Sequence, residues 1–400
     1  SSAPRKLSIL SRSLIIVNLY FDNMLLGQHS LPLLISYDMH QNAVPQTIST
    51  TQYGRQFLDR LCKPVYDLLK LHTLNRNRQR NYLDVVMLKD WNGLQEEAAT
   101  VDICFQREFG LEGNTGSMLY VSNYVLATTI GLMEHHVGLG IELEIFHGHY
   151  HLLTAFWYRD FLLSTRLNVM TGMRDQLKAR KAMEELIRLE EISQQQKQAN
   201  KSAKKKKGKK AGKKGGQTNG AEAADEQSSL KISIEDEEDM VEFLQLTVKR
   251  TLCRGIVRFL AALNQAQVLK KPQYKFTSHE ICFRKRFESF NQIRQPPLLT
   301  HDDFLKGSDF GLVSSTTLIS SATDCFTTSR GLLQEIGEES KKLEDVYRSI
   351  RKDDVTNLVK VCVGNSLFLL KLSKSIANQD VSTLNVSLDF KDCQFCSINL

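Results

Sequence analysis

Apolar residues along this chain recur mainly at steps of three and four, the spacing of helices that bury one face. The densest stretch is Gly140–Ser164. Read as one helix, it places Leu143, Phe146, Tyr150, Leu153, Trp157 and Phe161 on one stripe, with Ile145, His149, Leu152 and Phe156 on a second beside it. A helix apolar over so much of its circumference is buried, in the chain's own core or against another protein. Gly148 falls inside it. A mid-helix glycine costs about 1 kcal/mol relative to alanine, so the pattern predicts either a break at Gly148 or a neighbouring backbone packed close against it.

The same spacing predicts helices elsewhere. They fall over 7–37 (Leu10, Leu14, Val17, Phe21, Met24), over Gln52–His72 with a kink at Pro64, and from Tyr82 to about Phe109. A glycine-bearing loop at Gly110–Gly116 separates the last of these from Met118–Met133. The helix from Arg174 to about Gln198 carries only a narrow seam of Leu177, Met183, Leu186, Ile187 and Ile192. Residues 199–230 have almost no apolar content and read as disordered. The acids Glu235–Asp239 then open a helix buried through Phe243, Leu244, Val248, Leu252, Ile256 and Phe259, with Ser233 and Asp236 as its capping box. Pro296-Pro297 is a break, and helices follow at Ser314–Ile336 and Lys341–Ile350. After the apolar run Val361–Leu370 the period changes to two: Leu384, Val386, Leu388 and Phe390 alternate with Asn385, Ser387 and Asp389, a strand pattern.

The fold class is therefore mainly α: an irregular multi-helix scaffold with a small C-terminal β element and a disordered lysine-rich insertion. It divides into a helical region 1–198, a linker 199–230 and a helical region 231–400 ending in the β element. No repeat of fixed period stands out. No apolar run is read as long enough to span a bilayer.

Composition changes this picture at one place. The formal charge is +7, but Lys201–Lys214 alone holds nine lysines and no acid, so the remainder is close to neutral, about −2. Such a tract binds RNA or an acidic surface through counterion release, or serves as a solvated linker. It has no interleaved aromatic residues for base stacking, and the eight acids of Glu222–Asp239 are near enough to neutralise it in part.

The candidate chemistry is sparse. Cys62, Cys104, Cys253, Cys282, Cys325, Cys362, Cys393 and Cys396 read as reduced, buried thiols; Cys393 and Cys396 form a CxxC with no second pair. His147, His149 and His151 alternate near His135 and His136, but on a helix only His147 and His151 share a face, and no further ligand is placed beside them. His135-His136-Val137-Gly138-Leu139-Gly140 resembles half of an acetyl-CoA pyrophosphate loop, without its leading Arg or Gln and without a preceding strand. There is no P-loop, no Gly-x-Ser-x-Gly elbow and no HExxH. The residues name no catalytic, metal or cofactor site. Arg76, Arg78 and Arg80 lie within five residues, with Arg76 and Arg80 on one helical face, suited to phosphate or to carboxylates of a partner.

Several stretches, in this order, resemble the auxiliary subunit family of the N-terminal acetyltransferase C complex, NatC. They are LSRSL (Leu10–Leu14), NRNRQR (Asn75–Arg80), LQEEAATVD (Leu94–Asp102), GIELEIF (Gly140–Phe146), the lysine-rich insertion, KPQYKFTSHEICFRKRFESF (Lys271–Phe290) and the closing LDFKDCQFCSINL. The resemblance is to the C-terminal part of the family; the Asp-Pro-Lys-Met-Asp motif of its N-terminal part is absent, and the chain begins without Met, as a fragment would. The resemblance implies a non-enzymatic helical scaffold around a GNAT-fold catalytic subunit, with a small Sm-like subunit completing the complex. It implies cytoplasmic, ribosome-associated acetylation of Met-Leu, Met-Ile and Met-Phe N-termini. It also implies that acetyl-CoA binds the catalytic partner and that this chain needs no cofactor and no membrane. On this reading Glu142, Glu144, Phe146, Tyr150, Trp157 and Tyr158, with the three arginines, contact the partner or the core. Lys204, Lys205, Lys206, Lys207, Lys209, Lys210, Lys213 and Lys214 contact ribosomal RNA. The alternative from the residues alone is a free-standing helical RNA-binding or protein-interaction scaffold.

Overall fold

The computed structural model describes residues 74–108, 120–146, 148–206, 223–269, 278–339, 345–378, 386–389 and 395–399, with part of 56–71. The helix expected over 7–37 and the loop Gly110–Gly116 lie outside the described residues. Among those described, α1 (Arg76–Tyr82) passes through a π-helical turn, Leu83–Met87, into α2 (Leu88–Glu108). Then come α3 (Tyr120–Glu142), α4 (His149–Lys206), α5 (Ala223–Gln265), the short α6 (His279–Arg286) and α7 (His301–Gly307), α8 (Ser315–Glu339) and α9 (Asp345–Ala377). Strand β1 (Ser387–Asp389) pairs antiparallel with β2 (Ser397–Asn399), Leu388 opposite Ile398.

The long helices pack in chain order: α2 on α3, α3 on α4, α4 on α5, α5 on α8 and α8 on α9, with β2 against α9. One continuous apolar core runs through this series. α5 and α8 cross closely at Gly255, where a Cβ would stand 3.1 Å from Cys325 Cβ and 3.2 Å from the Phe326 ring. Trp91 meets Tyr124 edge to face at 6.1 Å between α2 and α3, and Phe259 meets Phe368 at 5.5 Å between α5 and α9. Inside the core, Arg159 Nε donates to Glu134 Oε1 at 2.6 Å, tying α4 to α3, and the guanidinium lies 4.6 Å over the Phe395 ring. Asp102, near the end of α2, caps α3: its carboxylate accepts from the backbone N–H of Val121 at 3.0 Å and of Ser122 at 2.8 Å, and from Ser122 Oγ at 2.6 Å.

Several expectations change. Gly140–Ser164 is two helices: α3 ends at Glu142 and α4 starts at His149. Gly148 sits between them at φ +78°, a conformation open chiefly to glycine. The helix expected from Tyr82 begins at Arg76, because the Asn75 side chain accepts the Arg78 N–H at 3.0 Å and caps it. The separate helix expected from Arg174 is a continuation of α4, whose 58 residues run to Lys206; α5 starts at Ala223. Residues 199–206 and 223–230 are thus helical where composition predicts disorder. Low apolar content denies a segment its own core, but lysine, alanine and glutamine extend a helix nucleated elsewhere. For the same reason Ser233 and Asp236 lie inside α5 and cannot cap it. Val361–Leu370 belongs to α9. Its segment Val355–Ala377 is, by length and composition, long and apolar enough to cross a membrane. The single lysines and Asn365 that interrupt the run conceal this in the sequence. Val361, Cys362, Phe368, Leu369 and Leu372 are buried in the core.

Candidate partner-docking site

Three of the stretches that carry the family resemblance meet at one place: Asn75–Arg80, Gly140–Phe146 and the segment through Phe290. Arg76 Nε lies 3.0 Å from Glu142 Oε2, joining the start of α1 to the end of α3. Four residues on, Arg80 Nη1 is 3.4 Å from Asp84. Asp84 sits in the π-helical turn, which widens the helix locally. Its Oδ1 lies 2.5 Å from His136 Nε2 on α3 and accepts from Ser289 Oγ at 2.5 Å. Burial pushes the Asp84 carboxyl up, but His136, Ser289 and Arg80 outweigh it and hold the group below its usual range. Burial lowers His136 in turn, against the pull of Asp84. The pair is therefore carboxylate and neutral imidazole near neutral pH.

Next to it, the Asn92 side chain bridges the loop before Pro296, donating to Gln292 O at 2.8 Å and accepting from Arg294 N–H at 3.0 Å. Gln95 Nε2 donates to Gln295 O at 3.0 Å, and Arg294 pairs with Glu96.

The turn between α3 and α4 closes as a Schellman motif. Ile145 N–H donates to Gly140 O at 2.9 Å and Glu144 N–H to Ile141 O at 3.0 Å, with Glu144 in the left-handed region at φ 54°. This folds Phe146 back onto α3, so that a Cβ on Gly140 would stand 2.6 Å from the Phe146 ring. The other side of that ring faces Phe287 at 5.9 Å and the Arg286 guanidinium at 5.7 Å.

The remaining aromatic residues of α4 are spread along its first turns. Tyr150 Oη is 2.9 Å from His301 Nε2, and its ring is 4.2 Å from that of His279. Trp157 lies over Gly307, where a Cβ would reach 2.7 Å from its Nε1, and meets Phe304 at 5.4 Å. Tyr158 is fully buried, stacked on Phe287 at 4.3 Å.

Phe146 and Tyr158, named as contacts with a partner or the core, are core residues of this chain. Tyr150 and Trp157 are half-buried between α4, α6 and α7. Glu144 and Arg78 are exposed; Glu142, Arg76 and Arg80 are tied up in ion pairs within the chain. Lys204, Lys205 and Lys206 fall in the last turn of α4, and Lys207 to Lys214 lie outside the described residues. His147 and Cys393 also lie outside them. His136 pairs with Asp84, and burial lowers His149. Among the described residues no three His, Cys, Asp or Glu side chains converge as metal ligands.

Sequence reasoning missed the Asp84–His136–Ser289 cluster and the Glu134–Arg159 pair. The second left a trace: a lone acid and a lone arginine interrupt two of the most apolar faces in the chain, and such charges are buried only when paired. The first left none, since its members come from three separate elements.

Compared with known proteins, residues 2–398 match the family described as "NAA35-like, TPR repeats". The chain is 22% identical over 372 residues to the human protein named "N-alpha-acetyltransferase 35, NatC auxiliary subunit", covering 89% of this chain and 46% of that one; the chicken protein of the same name is also 22% identical. The chain thus spans about half the length of these curated relatives. In fold it resembles a chain of the NatC complex bound to Arl3 peptide and CoA, with TM-score 0.56 and 15% identity over 91% of this chain and 50% of that one. The apo NatC complex gives the same TM-score at 14% identity, over 89% and 49%. With a match that runs through nearly every residue and a helical fold to go with it, this chain belongs to the NAA35-like family of TPR repeats.

Proposed function

We propose that the chain is a non-catalytic auxiliary subunit of a NatC-type N-alpha-acetyltransferase, a helical scaffold on which a GNAT-fold catalytic subunit and a small Sm-like subunit assemble. The carrying observation is the family match over residues 2–398, whose curated relatives bear the name of that subunit. Acetyl-CoA binds the catalytic partner, and the complex acts in the cytoplasm on nascent chains beginning Met-Leu, Met-Ile or Met-Phe. In support, Arg76, Glu142, Asp84 and His136 are spent on each other in structural pairs, which suits a rigid platform more than a reacting centre. Co-expression with the two other subunits tests the reading. The expected result is one stable complex that acetylates a Met-Leu peptide; failure of this chain to co-purify with the acetyltransferase overturns it.

The lysines from Lys204 to Lys214 tether the complex to ribosomal RNA in this reading, through counterion release. Deleting them is expected to reduce ribosome co-sedimentation at low salt and to leave assembly intact. Unchanged co-sedimentation removes the tether from the proposal.

A further inference from the structure

The outward face of α9 carries a seam that no other described residue covers. Lys360, Val363, Leu367, Leu370 and Lys374 are all exposed, and they follow one another at steps of three, four, three and four. That is the a/d spacing of a helix that packs against another helix along its length. The three aliphatic members are 36%, 56% and 55% exposed, on a helix whose opposite face is fully buried in the core. The positions flanking the seam are the small Gly364, Ser366 and Ser373, with the exposed Lys371 beside Leu367 and Leu370 on one side. A Cβ at Gly364 would meet nothing within 4 Å, so a second helix can approach closely there.

The charges decide what the second helix is. The seam is aliphatic at its centre and has a lysine at each end, two heptads or about 21 Å apart, with a third lysine, Lys371, on one flank, so every charge along it is positive. A second copy of α9 does not fit. Paired antiparallel about Leu367, Lys360 of one copy faces Lys374 of the other; paired parallel, each lysine faces itself. Like charges at matched seam positions disfavour both. The apolar stripe of 7–37 has the right spacing but the wrong charge, with a single acid, Asp22.

We infer that the Lys360–Lys374 seam of α9 is a docking surface for an amphipathic helix of another protein, one whose aliphatic stripe is bounded by Asp or Glu residues two heptads apart. The lysines set the register and orientation of that helix, and the aliphatic centre supplies the buried area.

The test uses the full chain and two fluorescein-labelled helical peptides with the same leucine seam, one bounded by glutamates and one by lysines. Fluorescence anisotropy is expected to show the glutamate peptide binding at least tenfold more tightly, with the preference shrinking as salt rises. Reversing both end charges, with Lys360→Glu and Lys374→Glu, is expected to invert the preference. Both positions are exposed, so the variant keeps its fold, checked by circular dichroism, and Leu367→Asp is expected to abolish binding of either peptide. Equal affinity for the two peptides, or a preference that charge reversal leaves unchanged, overturns the inference. So does dimerisation of the chain through this face in sedimentation analysis. Binding to phosphatidylcholine–phosphatidylserine vesicles that Leu367→Asp abolishes, without binding to the glutamate peptide, assigns the face to a lipid surface and also overturns it.

Discussion

The Tyr158 ring lies on the Phe287 ring at 4.3 Å with only 17° between their planes, joining α4 to the turn after α6 across 129 residues of sequence. Phe146 packs against the same Phe287, at 5.9 Å. Phe287 is thus the common support of the α3–α4 turn and the start of the long helix. Tyr158→Ala is expected to destabilise the fold by about 3–5 kcal/mol. A double-mutant cycle with Phe287→Ala is expected to give a coupling of about 1 kcal/mol beyond lost area. Urea unfolding of the two single variants and the double variant measures both. Strict additivity would show that the stack contributes only burial.

Glu144 holds a left-handed conformation at φ 54°, in the position where a Schellman motif favours glycine. Glu144→Gly is expected to raise stability by up to about 1 kcal/mol, since the strain is relieved at a small entropic cost. Gly148→Ala, at φ +78°, is expected to lower it by a similar amount. Thermal unfolding midpoints moving in opposite directions are the sign to look for.

Gly140 has no room for a side chain, with a Cβ reaching 2.6 Å from the Phe146 ring. Gly140→Ala is expected to cost about 1–3 kcal/mol by displacing that ring. Combining it with Phe146→Leu, which vacates part of the space, is expected to cost less than the sum of the two single changes. Denaturant midpoints decide this.

Two buried acids respond to pH with opposite sign. Burial raises Asp102 to about 6, so between its unfolded value and 6 the folded chain holds the extra proton and stability falls as pH rises. Glu134 lies at about 2: burial pushes it up, and Arg159, with smaller help from Lys249, more than reverses that. Its contribution is present above the unfolded value of 4.5 and is lost as pH falls towards 2. Asp102→Asn is therefore expected to gain about 2–3 kcal/mol on the parent chain as pH rises from 4 to 7. Arg159→Met, which strands Glu134, is expected to cost about 3–5 kcal/mol at neutral pH and less at pH 3. Stability measured against pH for the three chains separates the two groups.

Much of the helical content was legible. The runs around Leu252–Phe259 and Ser314–Ile336 have a clear 3.6 period, and the alternation at Leu388 marked a strand that does pair. Gly148 announced the break in Gly140–Ser164, because only a glycine is comfortable at that φ. Helix ends were read less well. Asn75 and Asp102 both cap helices, but Asn75 stood in an arginine-rich run and Asp102 caps a helix starting 18 residues later. The repeat architecture was hidden as well: helices ranging from 7 to 58 residues leave no fixed period to detect.

Of the candidate site, the sequence named Arg76, Glu142 and the aromatic residues of α4 but could not say which would meet. Periodicity is a property of one helix, and it determined that these faces are buried. Whether Tyr158 is covered by Phe287 or by another protein depends on which helices lie alongside, and that is set by packing between segments more than a hundred residues apart. The same holds for α9. Its sequence contains both the inward face and the Lys360–Lys374 seam, and only the packing of α5, α8 and β2 against one side leaves the other exposed among the described residues.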